Sequence, residues 1–289
     1  MTEEIARLIA RHARPDLGSA IDGLLLSRVT GSETHYSLTS PLLVVMAQGG
    51  KRLWLGEREF GYRAGQCLIV TATLPVTGHF DASPDVPSLA CGLVLDPAAI
   101  APLLDLAPVP DDDGDPAAMA TQDAPPELLD AVLRLLRLLE RPADAPVLAP
   151  MIVREILWRL LTGPHGGLLR RAALDGGGLE RIGRAIGWIR ANYAEPLRID
   201  DAARVAGMSR SAFDRQFRAV TAMSPLQFQK RLRLQQARTL LLAGPPDVAG
   251  VGHRVGYDSP SQFTREYRRL FGAPPTHDTA RRRSPSITL

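Results

Sequence analysis

Only two cysteines, Cys67 and Cys91, occur in 289 residues. Two are too few for a disulfide-built scaffold or for a four-ligand zinc site of their own. Aromatic residues make up 5% of the chain, so core filling falls to Leu, Ala and Val. No apolar run nears the roughly 20 residues of a membrane-spanning helix; the best, around Pro41–Ala47, stops far short. A Gly-x-Ser-x-Gly nucleophile turn, a Walker loop and a dinucleotide glycine loop are also missing, so catalysis gains no positive support from these motifs. What is present is 45% hydrophobic and 22% charged residues, the balance of a folded chain with room for more than one domain. Met1–Arg14 carries Glu3 and Glu4 and then an Ile5, Leu8, Ile9 stripe, the pattern of an amphipathic helix and not of a secretion signal. The expectation is a soluble, cytoplasmic protein without a membrane partner.

The net charge of +3 conceals an asymmetry. From Glu180 to Leu289 there are 19 Lys and Arg against 9 Asp and Glu, a net of +10, and the residues before them carry a net of −7. An acidic part joined to a basic one points to a polyanionic partner for the basic part, although an Arg-rich solvated surface gives the same sum. Pattern has to separate the two.

After the first helix, Ile21–Thr30, Leu42–Gln48, Lys51–Leu55, Glu59–Arg63, Gln66–Leu74 and Ser88–Leu95 read as strands. They are short, rich in Val, Ile, Leu and Tyr, and punctuated by Gly49-Gly50, Gly56, Gly65 and Pro75. Six such runs without an intervening helical pattern predict a small antiparallel barrel or sandwich. Leu104–Pro126, with Asp111-Asp112-Asp113, is expected to be a mobile surface loop. Helical periodicity follows over Glu127–Glu140 and Val147–Leu161. The apolar stripe there is broad enough to pack on the barrel or on a second copy of the chain. The predicted fold class is therefore α+β, with residues 1–165 forming the barrel and its helical extension. Residues 166–178 are expected to link it to an all-α part at 179–289.

That last part contains an internal repeat at a shift of 50 residues. Ser209, Ser211, Phe213, Arg215, Phe217, Arg218 and Pro225 correspond to Ser259, Ser261, Phe263, Arg265, Tyr267, Arg268 and Pro275. Each copy is preceded by a short apolar helix and a glycine: Ile199–Ala206 with Gly207, and Val248–Val255 with Gly256. The reading is helix, glycine turn, helix, twice. Glycine ends the first helix in a left-handed conformation. Ser209 or Ser259 can cap the second, and Pro260 suits a first helical position. Phe213 with Phe217, and Phe263 with Tyr267, lie four residues apart and face inward. Arg210, Ser211, Asp214, Arg215 and Arg218 then face outward in one copy; Ser261, Gln262, Arg265, Arg268 and Arg269 do so in the other. Arg can grip guanine, Gln and Ser can bond other base edges, and further Arg residues suit phosphates. Asp214 either accepts from cytosine N4 or orients Arg215. Pro225–Leu242 reads as a helix spacing the copies by about one DNA turn, ~34 Å. Helix-turn-helix units also occur in proteins that bind only protein, but two basic copies inside a +10 segment favour double-stranded DNA.

Val255–Pro275 (VGYDSPSQFTREYRRLFGAPP) resembles the second helix-turn-helix of AraC/XylS-type bacterial transcription regulators. Gly207–Pro225 and Arg231–Leu242 resemble that family's first unit and linker helix. Gln48–Gly65, Leu74–His79, Leu95-Asp96-Pro97 and Leu161–Gly166 resemble the branch carrying an AraC-type regulator N-terminal domain. The resemblance implies a cupin-like sensory barrel, helices that can form a homodimer, and control of transcription at promoters beside RNA polymerase. It places Ser211, Asp214, Arg215, Ser261, Gln262 and Arg265 at base-reading positions. Two departures stand out. Gly250 and Gly252 interrupt the second unit's leading helix, where each costs up to about 1 kcal/mol of helix propensity. Thr276-His277-Asp278 replaces the usual Tyr-Arg ending. The Arg281-Arg282-Arg283 tail is expected to be disordered, with phosphate contacts as the alternative.

For the barrel, Trp54, Tyr62, Cys67 and His79 are the candidate effector-binding residues, with Val45, Ile69 and Leu93 as further inward lining. A filled core without effector fits the same residues. Lys51 and Arg52 offer an anion site or simply a solvated hairpin. Cys67 and Cys91 offer thiol sensing of electrophiles or oxidants, or inert burial. A metal-dependent cupin enzyme is the alternative function, but only His35 and His79 lie among the strands, with Glu33 as an uncertain carboxylate. No cofactor or metal is expected, and the chain is read as a regulator and not an enzyme.

Overall fold

The computed structural model describes residues 1–108, 117–173, 178–243 and 247–278. By internal contacts the chain divides into two units. The first comprises Met1–Gly183 with Ala219–Ala222, and the second comprises Arg184–Arg218 with Met223–Leu289.

The first unit opens with helix α1 (Thr2–His12). The strands β1 (Leu24–Val29), β2 (His35–Leu38), β3 (Leu42–Gln48), β4 (Gly50–Leu55), β5 (Arg58–Arg63), β6 (Gln66–Val70), β7 (Pro75–Asp81) and β8 (Ser88–Val94) follow. After α2 (Pro97–Leu104) comes β9 (Met119–Asp123), then α3 (Pro126–Arg137) with a 3-10 turn at Leu138–Glu140, α4 (Ala145–Leu161) and α5 (Gly166–Ala173). All pairing is antiparallel, in a five-stranded sheet of order β1-β8-β3-β6-β9 and a four-stranded sheet of order β2-β7-β4-β5. The α+β expectation with a sheet-rich first part holds.

Both faces of the five-stranded sheet are apolar, so the inner strand β8, SLACGLV, is buried almost throughout. One face carries Leu24, Leu26, Leu43, Val45, Cys67, Ile69, Cys91 and Leu93 into a core shared with α1 to α5. The other face, with Met46, Leu68, Val70 and Ala90, looks towards the second sheet, whose Leu53, Leu55, Phe60, Tyr62 and Val76 are buried. Strand β5 lies beside β3, β6 and β9 and brings the sheets together.

Several expectations are corrected. Gln66–Leu74 is not one strand: β6 stops at Val70, and β7 starts at Pro75, a position that tolerates proline because it is the strand's first residue. The expected loop at 104–126 contains β9, a polar strand recognisable only by its pairing with β6. Residues 109–116, which hold the Asp111-Asp112-Asp113 run, lie outside the described residues. The expected link at 166–178 begins as helix α5, whose Leu168 and Leu169 are buried in the first unit's core; residues 174–177 are not described.

Helix α6 (Gly178–Ala191), which belongs to the second unit from Arg184 onward, leads into α7 (Ile199–Ala206), α8 (Arg210–Thr221, whose last residues from Ala219 are counted with the first unit), α9 (Pro225–Ala243), α10 (Val248–Arg254) and α11 (Pro260–Phe271). The two expected turns are present: Gly207 has φ 63° and Gly256 φ 90°, both left-handed. Ser259 caps α11 by accepting from the Gln262 amide at 3.3 Å, and Ser209 accepts from Ala212 at 3.4 Å. Gly252 does more than weaken α10. A Cβ there would stand 3.0 Å from the Phe263 ring, so the missing side chain lets α10 close onto α11.

Candidate nucleic-acid interface and sensory site

The aromatic pairs behave as the repeat requires. Phe213 and Phe217, and Phe263 and Tyr267, are fully buried, with ring centroids 5.3 Å and 5.6 Å apart. Phe217 meets Phe228 of α9 edge-on at 5.4 Å. Helical spacing then forces the intervening positions outward. Arg210, Ser211, Arg215 and Arg218 are exposed on α8, with Asp214 half-buried; Ser261, Gln262, Arg265, Arg268 and Arg269 are exposed on α11. Arg210 pairs with Asp200 at 3.5 Å. Asp214 makes no ion pair with Arg215 among the described residues. The Arg281–Arg283 tail lies outside the described residues.

What sequence reasoning missed is the polar frame that holds α11. Lys230 on α9 donates to Glu266 Oε1 at 2.9 Å, Tyr257 Oη donates to Oε2 at 2.8 Å, and Gln262 Nε2 donates to Oε1 at 3.4 Å. Burial opposes ionisation of Glu266, but these donors outweigh it and hold its carboxyl below the usual range. Arg233 donates to the carbonyls of Tyr193, Gly256, Ala194 and Glu195 at 2.6–3.0 Å. It thereby ties the glycine turn of the second helix-turn-helix unit to the α6–α7 connection. Arg238 grips Asp278 through two bonds of 2.7 Å and 2.8 Å, and Tyr267 Oη donates to the same carboxylate at 2.9 Å. A periodicity signal for Arg238 existed: it shares a helical stripe with the buried Leu234 and Leu241.

The sensory candidates scatter over three surfaces. Tyr62 faces the inter-sheet space. Cys67, together with Val45, Ile69 and Leu93, lies instead on the helix-packed face, because strand alternation put the odd-numbered residues of β3 there. Trp54 and His79 stand on the outer face of the four-stranded sheet: Trp54 pairs in register with Thr77 and lies 5.8 Å from the exposed Arg52, which is itself opposite His79. Lys51 points the other way, inward. Both cysteines are free and buried; burial pushes the Cys67 thiol up to about 11 and the Cys91 thiol up to about 12. A reactive thiol needs the opposite shift. Among the described residues no group of three or more His, Cys, Asp or Glu could hold a metal ion, and no helix is long and apolar enough to cross a membrane.

Residues 202–281 match a helix-turn-helix domain family. The virulence regulon transcriptional activator VirF of Yersinia enterocolitica is 28% identical over 167 residues, which is 57% of this chain and 60% of VirF. The activator RhaS of Salmonella schwarzengrund is 28% identical over 151 residues, 51% of this chain and 53% of RhaS. The matches thus span little more than half the length of these curated relatives. Over almost the whole chain the fold is that of ToxT from Vibrio cholerae. The apo form superposes with a TM-score of 0.58 at 8% identity, covering 91% of this chain and 99% of ToxT. A form bound to unsaturated fatty acid gives 0.54 at 9% identity, covering 89% and 94%. Residues 20–168, more than half of the chain, match the family described as the AraC-type transcriptional regulator N-terminus, and the chain belongs to that family.

Proposed function

We propose that this protein is a one-component transcription regulator and not an enzyme: its first unit binds a small-molecule effector and its second reads promoter DNA. The observation that carries this is the pair of helix-turn-helix units, each with its aromatic pair buried and a basic face exposed. Ser211, Asp214 and Arg215 read bases from α8, with Asp214 accepting from cytosine N4. Ser261, Gln262 and Arg265 read from α11. Arg210, Arg218, Arg268 and Arg269 bind phosphates. The curated relatives above are activators, which supports activation through contact with RNA polymerase in the cytoplasm. The functional boundary falls after α5, between the sensory unit and the reader.

Self-association fits α4. Val147, Leu148 and Met151 are exposed on it at 67%, 41% and 64%, beside a groove of about 730 Å³ whose polar wall is Arg134, Arg137 and Glu155. An apolar helical stripe with a charged rim suits a second copy of the same face.

The test is fluorescence anisotropy of the full chain with its own upstream DNA and a scrambled duplex across a salt series. Preference for the native duplex by roughly 10³ or more, with a steep negative salt slope, is the expected result. Salt-insensitive association with a protein, and no DNA binding at any salt, refutes the reading.

A further inference from the structure

Strand register places a polar pair on the face of the four-stranded sheet that also carries its buried Leu53 and Leu55. On β4, Lys51 alternates with Leu53 and Leu55 on the inner face, opposite Tyr62 of β5 and Phe80 of β7. Its Nζ stands 4.4 Å from the Phe80 ring centroid. From β2, His35 pairs in register with Gly78, and its ring covers that glycine so closely that a Cβ would fall 2.1 Å from Cε1. The same imidazole stacks on Phe80 at 4.9 Å. Lys51, His35 and Phe80 therefore share one locus, which exists because position 78 has no side chain.

Neither group has a protein counter-group among the described residues, and Lys51 is partly buried. His35 Nδ1 is buried without a hydrogen-bond partner. Lys51 has no carboxylate partner among the described residues; the nearby Asp81 reaches Arg52 on the outer face instead. Burial alone draws Lys51 down to about 8, so it stays mostly charged at neutral pH. Burial, then the charge of Lys51, then His79, draw His35 down to about 4, so it stays neutral. Native interiors pair nearly all such groups, and a charge left alone in one is costly. The aromatic face offsets only part of that cost.

We infer that Lys51 and His35 are the head-group site of the effector chamber and take the carboxylate of a singly charged organic acid. This rests on the proposal that the first unit binds an effector. The ammonium pairs with one carboxylate oxygen, and Nδ1–H of the neutral imidazole donates to the other. Phe80, Tyr62 and Leu53 lie against the carbon skeleton. Because the site carries one positive charge, a phosphate dianion would bring an uncompensated charge into a space of low dielectric, and an amine would meet repulsion.

The test is calorimetric titration of the full chain with straight-chain acids from butyrate to dodecanoate and with phenylacetate. Their amides and inorganic phosphate serve as controls. The acids are expected to bind. The amides, and the acids with Lys51→Met, are expected to bind roughly thirty-fold more weakly, the order of one charge-assisted hydrogen bond. Lys51→Met replaces a partly buried, unpaired charge by an apolar chain of similar length, so its Tm without ligand should equal or exceed that of the parent. A fall in Tm would mark Lys51 as structural and overturn the site. So would acids binding equally to the variant, amides binding as well as acids, or no acid binding at all. Anisotropy with promoter DNA on the same preparation separates the failures: specific DNA binding without acid binding sinks this site and leaves the regulator, whereas loss of both sinks the regulator too.

Discussion

Replacing Asp278 by Ala should destabilise the second unit severely. Asp278 and Arg238 are each about one-tenth exposed, and the carboxylate accepts two guanidinium bonds at 2.7 Å and 2.8 Å plus the Tyr267 hydroxyl at 2.9 Å. The guanidinium also lies 4.7 Å from the Phe271 ring. Asp278 sits in a helical turn at 275–278, just beyond α11, while Arg238 is on α9. The pair therefore locks the end of α11 to the helix behind it. Removing one partner of a buried pair leaves an uncompensated charge, a cost of about 3–5 kcal/mol. Surface ion pairs of this chain, such as Arg204 with Asp201, stand at about 0–1 kcal/mol. Urea unfolding of the full chain, followed by near-ultraviolet dichroism, measures the difference. Arg238→Met with Asp278→Leu, which removes both charges for apolar volume, should recover most of the loss. A cost for Asp278→Ala below about 1 kcal/mol, or a double variant worse than the single one, would refute the reasoning.

Three further outcomes follow from the same geometry. With thiol protons held up at about 11 and 12 by burial, Cys67 and Cys91 should resist iodoacetamide at neutral pH until the chain is unfolded; mass spectrometry showing rapid native alkylation of either would contradict this. Arg215→Ala or Arg265→Ala should cost about 1–3 kcal/mol of discrimination at one base position, while Arg218→Ala weakens all sequences alike and lowers the salt slope by about 1. Competitive anisotropy against single-base variants of the promoter distinguishes the two patterns, and equal losses for all three would overturn the assignment. Met151→Glu should shift a dimer to monomer in sedimentation without changing the fold, since Met151 is 64% exposed in the monomer.

The helix-turn-helix half was legible because its sequence signals are local. A glycine needing positive φ, a serine able to cap and an aromatic pair four residues apart each fix a conformation within one or two turns. Strands β2 and β9 carry no such signal: HYSL and MATQD are short and polar, and become strands only by pairing with β7 and β6. In the same way Arg233 reads as another outward charge until the carbonyls of residues 193–195 and 256 are brought around it.

The candidate sensory site failed to be legible for a sharper reason. Alternation tells that Val45 and Ile69 share a face and that Lys51 and Leu53 share another, but not what each face meets. In a sheet with one wet side, polarity would decide. Here the five-stranded sheet has helices on one side and a second sheet on the other, so apolar residues fill both parities of β3 and β8. The even choice between faces leaves open what the structure shows, that Cys67 and Leu93 lie on the helix-packed one. On the four-stranded sheet the hints actively mislead. Trp54, the large aromatic, lies outside beside Arg52, while the charged Lys51 turns inward. A lysine normally found in water is kept inside only if something there rewards it, and Phe80 is a partial reward. The rule that inward residues are apolar therefore fails at the one position of β4 where a ligand can supply the missing charge.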